Sequence, residues 1–457
     1  MPYLDSPAGA GPARVAIVSA SVGAGHDGAA AELSRRLTAR GVAVDRFDFL
    51  DLLPARLGTL LGGTYHQLLT HAPWAYQRIY ATTERPGRGR VSNAVLRAAE
   101  HRTLRALRPG TRAVVATYPL AGQVLGALRR DGRLTVPVLT YLTDFSVHPL
   151  WVAPGVDTHL ALHPIPAGQA EACGAHRVLT RGPVVDPRFG PATPQARRAA
   201  RTRFGLPPHG PLALLVAGSW GVGPVEQAAA RIRACGAAVP VVVCGRNQAL
   251  ADRLRAAGTG HVFGWVDDMP GLMHAADVLV QNAGGLTSLE AFASGLPVAS
   301  YGCIPGHGRT NAAALDAAGL ATWIRHADDL GPVLTGLLDG PAGSAQRAAG
   351  LALFARGDAD GPAAAILDAA RRPTPGRGGV TVRVRPERVP AAPVTPAVTA
   401  AASGPGAAAV PVRAGRAQRR TALVLAAALA TTLLAGPDST EDAVARGGTH
   451  LLHDLDL

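Results

Sequence analysis

Short, continuous apolar runs, each followed by a turn-rich stretch, narrow most sharply what this chain can fold into. VAIVSAS (15–21), VAVDRFDFL (42–50), AVVATYP (113–119), VPVLTYLTDF (136–145), THLALHP (158–164) and RVLTRGPVV (177–185) form a first series. LALLVAGS (212–219), VPVVVCG (239–245), HVFGWV (261–266), DVLVQNAG (277–284) and LPVASYG (296–302) form a second. Runs that do not alternate are what strands covered on both faces of a parallel sheet require. Helical stretches rich in Ala and Arg, such as EQAAARIRACGA, separate them. Two βα series in tandem predict an α/β chain of two Rossmann-like, doubly wound domains facing a cleft. The turn-rich DPRFGPATPQARR puts the boundary near 186–205. The first domain is therefore read as 1–185, the second as 186–345, and 346–372 as a C-terminal helical segment. At 457 residues the chain has room for both domains.

From about Pro373 the composition changes. Residues 373–420 are Pro, Ala, Gly, Val and Arg without helical or strand period, which predicts a disordered linker. In the remaining 421–457, TALVLAAALATTLLAG (421–436) is apolar but shorter than the roughly 20 residues a spanning helix needs. A membrane segment and a soluble, locally helical tail both stay open. If it inserts, Arg419 and Arg420 favour keeping the preceding residues on the cytoplasmic side. The net charge is +13, and with no Lys all 45 basic residues are Arg. Codon bias explains such a composition, and so does attraction to phosphate on lipids or on a nucleotide. No nucleic-acid recognition motif is present, so no nucleic-acid partner is expected. The scattered Cys173, Cys235, Cys244 and Cys303 give neither a zinc pattern nor a disulfide framework. The start MPYLDSPAGAGPAR has no signal-peptide pattern. Both observations fit a cytoplasmic protein.

Three strings carry the candidate chemistry. In SASVGAGH (19–26) a strand runs through a Gly-rich turn into a helix. Gly23 and Gly25 permit a tight turn and close ligand approach, the helix start favours an anion, and His26 is placed to take a proton as general base. In VAGSWGVGPVEQ (216–227), Gly218, Ser219, Gly221 and Gly223 can present N–H groups to a diphosphate, with Trp220 beside the cleft. In NAGGLTSLEAFASGLPVASYGCIPGHGRTN (282–311), Asn282, Gly284 and Gly285 close a strand. Thr287 and Ser288 can cap a helix or offer hydroxyls to phosphate. Glu290 can accept from a ribose diol or simply complement the helix dipole. His307, Arg309 and Asn311 follow on a loop. Each string alone is also compatible with an ordinary βα turn.

Their order is more specific. SASVGAGH, VAGSWGVGP, VVVCGRN, FGWVDDMPGLMHAADVLVQNAGGLTSLEAFASGLPV and IPG…N resemble the monogalactosyldiacylglycerol synthase and processive diacylglycerol glucosyltransferase family over roughly 13–345. YLTDFSVHPLWVAPGVDTHLALHP (141–164) resembles the family's first-domain segment. The resemblance implies a GT-B fold, an acceptor-side first domain, a UDP-sugar-binding second domain and inverting transfer from UDP-galactose or UDP-glucose to a lipid such as diacylglycerol. It implies His26 as catalytic base and Gly25 in its turn, Ser219, Trp220 and Gly221 as phosphate loop, and Trp265 and Val266 as the uracil-contacting segment. It further implies Gly284, Gly285 and Thr287 as the diphosphate turn and Glu290 as ribose binder; His307 and Asn311, which the IPGHGRTN loop brings toward the same cleft, are expected as further donor contacts. The family often has Gln-Glu after IPG; His307 and Gly308 stand here instead. Asp144, in TDF, is a candidate to orient His26 or an ordinary strand-end carboxylate. No cofactor beyond the co-substrate and no metal are expected, and the D-x-D strings at 358–360 and 454–456 read as chance.

In TYHQLLTHAPWAYQRIYATTERPGRGR (64–90), Trp74, Tyr76, Ile79 and Tyr80 mix with Arg78, Arg85, Arg88 and Arg90. This pattern suits an acceptor-side surface at an anionic membrane or a helix packed on the first domain. The expected place is the inner face of the cell membrane, peripherally attached. Transfer to a soluble natural product, UDP-sugar epimerisation and non-catalytic nucleotide-sugar binding remain alternatives.

Overall fold

A computed structural model describes residues 13–53, 58, 62–63, 67–70, 72–83, 93–355 and 361–372. The linker and tail expected at 373–457, both D-x-D strings, and Arg85, Arg88 and Arg90 lie outside the described residues.

The first sheet comprises β1 (Arg14–Ser19), β2 (Ala43–Asp48), β3 (Thr111–Ala116), β4 (Val138–Tyr141), β5 (Thr158–Ala161) and β6 (Val178–Thr180), in the order β2-β1-β3-β4-β5-β6. The second comprises β7 (Leu212–Val216), β8 (Val239–Val243), β9 (His261–Phe263), β10 (Val278–Gln281), β11 (Val298–Ser300) and β12 (Thr322–Trp323), in the order β12-β11-β10-β7-β8-β9. Every registered pair is parallel, for example Ile17 with Val115 and Leu215 with Val280. Helices in the first half are α1 (Ala24–Thr38), α2 (Pro73–Thr83), α3 (Asn93–Ala106), α4 (Pro119–Arg130) and α5 (Pro164–Ala172). The second half contributes α6 (Pro194–Arg203), α7 (Val225–Cys235), α8 (Gln248–Ala256), α9 (Met269–Ala275), α10 (Leu286–Ala293), α11 (His307–Ala317), α12 (Leu330–Asp339), α13 (Pro341–Ala352) and α14 (Pro362–Arg371).

The continuous apolar runs have the expected cause. In β1, Val15 and Ile17 enter one apolar cluster, while Ala16 and Val18 enter another on the opposite face. In β7, Ala213 and Leu215 face one cluster, and Leu212, Leu214 and Val216 face the other. Side chains that alternate between two dry faces leave no position for a polar residue. The two-residue β12 escapes such reading, since it has no apolar run of its own.

The helical segment expected at 346–372 divides between the two halves. α13 packs against α10 and α12, whereas α14 crosses back to the first sheet. There Ala363, Ile366 and Ala370 join the cluster of Val15 and Ile17. The halves also meet directly. Phe145 and Leu162 of the first share a core with Leu214, Leu289 and Leu315 of the second. Trp220 Nε1 donates to the Val22 carbonyl at 3.2 Å.

Asn311 belongs to this contact. Its buried Oδ1 accepts from Ser146 N (2.7 Å) and Ser146 Oγ (3.0 Å), and its Nδ2 donates to the Ala283 carbonyl (3.0 Å). Ser146 Oγ also lies 2.7 Å from Thr310 Oγ1. Ser146→Ala should cost about 1 kcal/mol, because it removes the hydroxyl from a buried polar cluster. Thermal unfolding reads this as a midpoint lowered by a few degrees; an unchanged midpoint would mean that the hydroxyl contributes nothing net.

Candidate active site

Parallel strands end on one edge of each sheet, and the turns that follow them build the site. β1 leads through an extended Gly23 into α1, which places His26 in the first helical turn. His26 Nδ1 lies 3.0 Å from Thr143 Oγ1, just beyond β4. The His26 carbonyl accepts from Thr117 Oγ1 at 3.2 Å, just beyond β3. The ring meets Tyr118 edge-on at 5.3 Å and Trp151 at 5.8 Å. Trp151 Nε1 donates to Asp144 Oδ2 at 3.3 Å.

This setting acts on the imidazole in two opposing ways. Burial lowers the His26 pKa below its ordinary 6.5, and the nearby Asp144 carboxylate pushes back toward the cation. Burial wins, so the resting ring is neutral at pH 7 and holds a lone pair. Asp144 then favours the cation that forms when a proton arrives. Base chemistry uses the bond direction in which Nδ1–H donates to Thr143 and Nε2 stays unprotonated.

On the opposite wall, β10 ends at Gln281 and the chain turns through Gly284, in a left-handed conformation at φ 73°, into α10. No side chain caps α10; the Gly285 carbonyl takes the Ser288 N–H at 3.0 Å, which leaves the leading Leu286 and Thr287 N–H groups for an anion. The starts of α10 and α1 sit against one another. A Cβ on Gly28 would lie 2.5 Å from Leu286 Cδ2, so this close approach uses the missing side chain. Beyond β9, Trp265 is 50% exposed with the Arg246 guanidinium stacked 4.5 Å over its ring. Burial, followed by the Asp186 carboxylate, raises the Glu290 pKa to about 7.

One cleft of about 820 Å³ collects most of the sequence-derived residues. Gly25, His26, Asp144, Ser219, Trp220, Trp265, Val266, Gly284, Gly285, Thr287, Glu290 and His307 all line it, with Tyr76 and Tyr80. Gly221, Asn311, Trp74 and Arg78 are not among its lining. Gly221 is packed against the Cys244 carbonyl and Asn247, behind the phosphate-loop candidates. Asn311 spends its amide on the domain contact. Among the described residues no group of three His, Cys, Asp or Glu side chains is arranged as a metal site.

Sequence comparison assigns this architecture. Residues 26–177 match the monogalactosyldiacylglycerol (MGDG) synthase family model, and residues 220–327 match that of glycosyl transferases group 1. A processive diacylglycerol beta-glucosyltransferase of Bacillus subtilis (strain 168) is 29% identical over 233 residues, covering 49% of this chain and 60% of the relative. The enzyme of that name from Bacillus pumilus is 27% identical over the same length and shares. The first half of the chain is thus similar to the monogalactosyldiacylglycerol synthase family, and the matched relatives are processive diacylglycerol glucosyltransferases. The chain spans about 60% of the length of these curated relatives. Among solved structures, Medicago truncatula UGT71G1 complexed with UDP-glucose superposes with a TM-score of 0.52 at 13% identity, covering 79% of this chain and 98% of that one. Arabidopsis thaliana UGT89C1 complexed with UDP-L-rhamnose gives 0.51 at 12% identity, covering 78% and 97%. The fold is GT-B, with two six-stranded parallel sheets flanking the cleft.

The motifs of the family string all fall on strand ends, but the strings did not show what surrounds His26. Tyr118 comes from the connection after β3, and Thr143 and Trp151 from the longer one between β4 and β5. The available signal was positional: Tyr118 and Thr143 closely follow apolar runs, where parallel strands deliver side chains to a cleft.

The helix expected at an acceptor or membrane surface has two distinct faces. Tyr76, Gln77 and Tyr80 of α2 turn to the second domain. Tyr76 OH lies 3.1 Å from His307 Nδ1, Gln77 Oε1 accepts from Gly306 N at 2.6 Å, and Tyr80 OH lies 3.4 Å from Thr310 Oγ1. Trp74, 58% exposed, and Arg78 share another face, with the guanidinium 5.7 Å from the indole centroid. Among the described residues no helix is long and apolar enough to cross a membrane.

Proposed function

We propose that this protein transfers a hexose from UDP-glucose or UDP-galactose to a hydroxyl of a lipid acceptor, diacylglycerol being the lipid in its relatives' names. The observation that carries the reading is the shared cleft: a neutral, half-buried His26 shares it with an uncapped helix start and the Trp265–Val266 and Glu290 groups. The acceptor oxygen attacks the anomeric carbon from the face opposite the diphosphate, and its proton passes to His26 Nε2. The bond from the anomeric carbon to the diphosphate oxygen breaks, so UDP leaves and the configuration inverts. N–H groups at the α10 start and in the Ser219–Trp220 turn stabilise the charge that grows on the leaving diphosphate. Glu290 accepts from the ribose hydroxyls, and Trp265 and Val266 border the base.

Mass spectrometry of products made from diacylglycerol and a panel of UDP-sugars tests the reading. A glycosylated lipid supports it. A glycoside formed only with soluble acceptors, an epimerised donor or no turnover would each replace it with one of the alternatives named above.

The reading carries a location with it, the inner surface of the cell membrane. Trp74 and Arg78 are exposed side by side on α2, an arrangement that suits insertion of an indole between anionic head groups. Co-sedimentation with vesicles should rise with the anionic lipid fraction and fall with salt. Trp74→Ala should weaken it further at high salt, where the apolar part remains. Because 421–436 is apolar, the comparison is made in a chain ending at Arg372. If that chain ignores anionic vesicles, α2 is a packing element alone.

A further inference from the structure

The donor reading, on which this inference rests, leaves the grip on the hexose itself unassigned. The amides that precede α10 are already committed. Gln281 Nε2 donates to Ser300 Oγ at 2.6 Å and its Oε1 accepts from Gly284 N. Asn282 Nδ2 donates to the Val222 carbonyl at 2.8 Å. His307 differs. It begins α11, lines the cleft and receives its Nδ1 partner from the other domain, the Tyr76 hydroxyl at 3.1 Å. Its Nε2 has no protein partner among the described residues.

The flanking backbone presents nothing else. A Cβ on Gly308 would fall 2.6 Å from Ile304 Cγ1 and 2.7 Å from the Asn282 carbonyl. Gly306 has φ 68°, and a Cβ there would fall 2.8 Å from Tyr76 Cε1 and 2.9 Å from Tyr80 Cγ. The loop therefore offers one imidazole between two positions that must stay bare. A lone imidazole turns about its side-chain bonds and reads a sugar hydroxyl poorly; one anchored at Nδ1 holds both its orientation and its tautomer.

We propose that Tyr76 is a positioning residue of the donor-sugar site: its hydroxyl anchors His307 so that Nε2 meets a hydroxyl of the hexose. Because Tyr76 rides on α2 of the first domain and His307 on α11 of the second, the contact exists only when the domains are closed. Sugar recognition is thereby tied to closure, while nucleotide recognition rests on second-domain groups and does not need it.

The test is calorimetry on the full chain with UDP, UDP-glucose and UDP-galactose, for the parent, Tyr76→Phe and Tyr80→Phe. Phenylalanine keeps the ring packed on Gly306 and removes only the hydroxyl. In Tyr76→Phe the affinity for UDP is kept, and the affinity for UDP-hexose relative to UDP falls about 3–10-fold, the size of one hydrogen bond. Tyr80→Phe loses a neighbouring clasp bond without touching His307 and shifts that ratio less. Nitrogen-15 spectra of the imidazole show a changed His307 tautomer ratio in Tyr76→Phe alone. Equal falls for UDP and UDP-hexose in both variants, with an unchanged His307 signal, would overturn the proposal and leave α2 as a strap between domains. A parent protein that fails to bind UDP removes the donor reading itself, which is a separate result.

Discussion

His26→Ala should lower hexose transfer by about 10²–10⁴-fold, the range a positioned general base supplies, while UDP binding is kept. The separation follows from geometry. His26 stands on α1 of the first domain, between Tyr118, Thr143 and Trp151. The proposed nucleotide contacts stand on the second-domain turns after β7, β9 and β10. Removing the imidazole leaves those turns intact and the acceptor hydroxyl without a proton sink. The pH profile of the parent enzyme carries a second signature. Burial holds the His26 pKa below 6.5, so turnover should fall only as pH drops through that lowered value and stay level above it. Asp144→Asn removes the carboxylate that favours the cation, so it should move this fall to still lower pH and reduce the plateau. A His26→Ala variant that retains turnover within a few-fold of the parent would take the base role from this residue. Loss of UDP affinity by the same variant would indicate damage to the cleft rather than to proton transfer.

Much of this architecture was legible because the sheets are parallel and buried on both faces. Val15 to Val18 leave no polar position, and neither do Leu212 to Val216, so both runs could be read as strands without knowing their neighbours. The turns after such strands fall in one cleft by construction, which is why His26, Ser219, Gly284 and Glu290 could be grouped from sequence. What sequence could not separate was the face of a helix. Tyr76 and Trp74 are two residues apart and of similar chemistry, yet one reaches His307 while the other stands in solvent. A rotation of 100° per residue assigns faces only once the docking partner is known. Asn311 shows the same limit. Its loop follows the donor motifs, but the domain contact takes up its amide. Contacts between distant segments, such as Thr143 with His26 across 117 residues, have no local pattern at all.

Glu290→Gln should change nucleotide affinity, pH response and stability together, which makes it the more demanding test of the donor site. A ribose diol donates to a carboxylate, and hydrogen bonds to a charged acceptor are worth about 1.5–3 kcal/mol, so UDP-glucose affinity should fall by about 10–150-fold at pH 8. Burial and Asp186 raise the Glu290 pKa to about 7 in the unliganded protein. Ligand hydroxyls favour the ionised form, so binding below pH 7 must expel a proton. Parent affinity should therefore rise with pH, by at most about tenfold per unit, and level off above 7. UDP-glucose suits this titration because its diphosphate has no proton to lose in that window. The Glu290→Gln variant has no carboxyl to titrate and should show a flat profile. Folding responds in the opposite sense. The folded-state pKa lies above the ordinary value of 4.5, so the fold favours the protonated acid. That contribution is complete below pH 4.5 and is lost as pH rises through about 7. Without ligand, the glutamine variant should therefore gain stability relative to the parent between pH 5 and 8, as a site strained for binding would. Parallel pH profiles for the two proteins, in binding and in unfolding alike, would remove Glu290 from the ribose site and leave it as a carboxylate serving only the helix dipole.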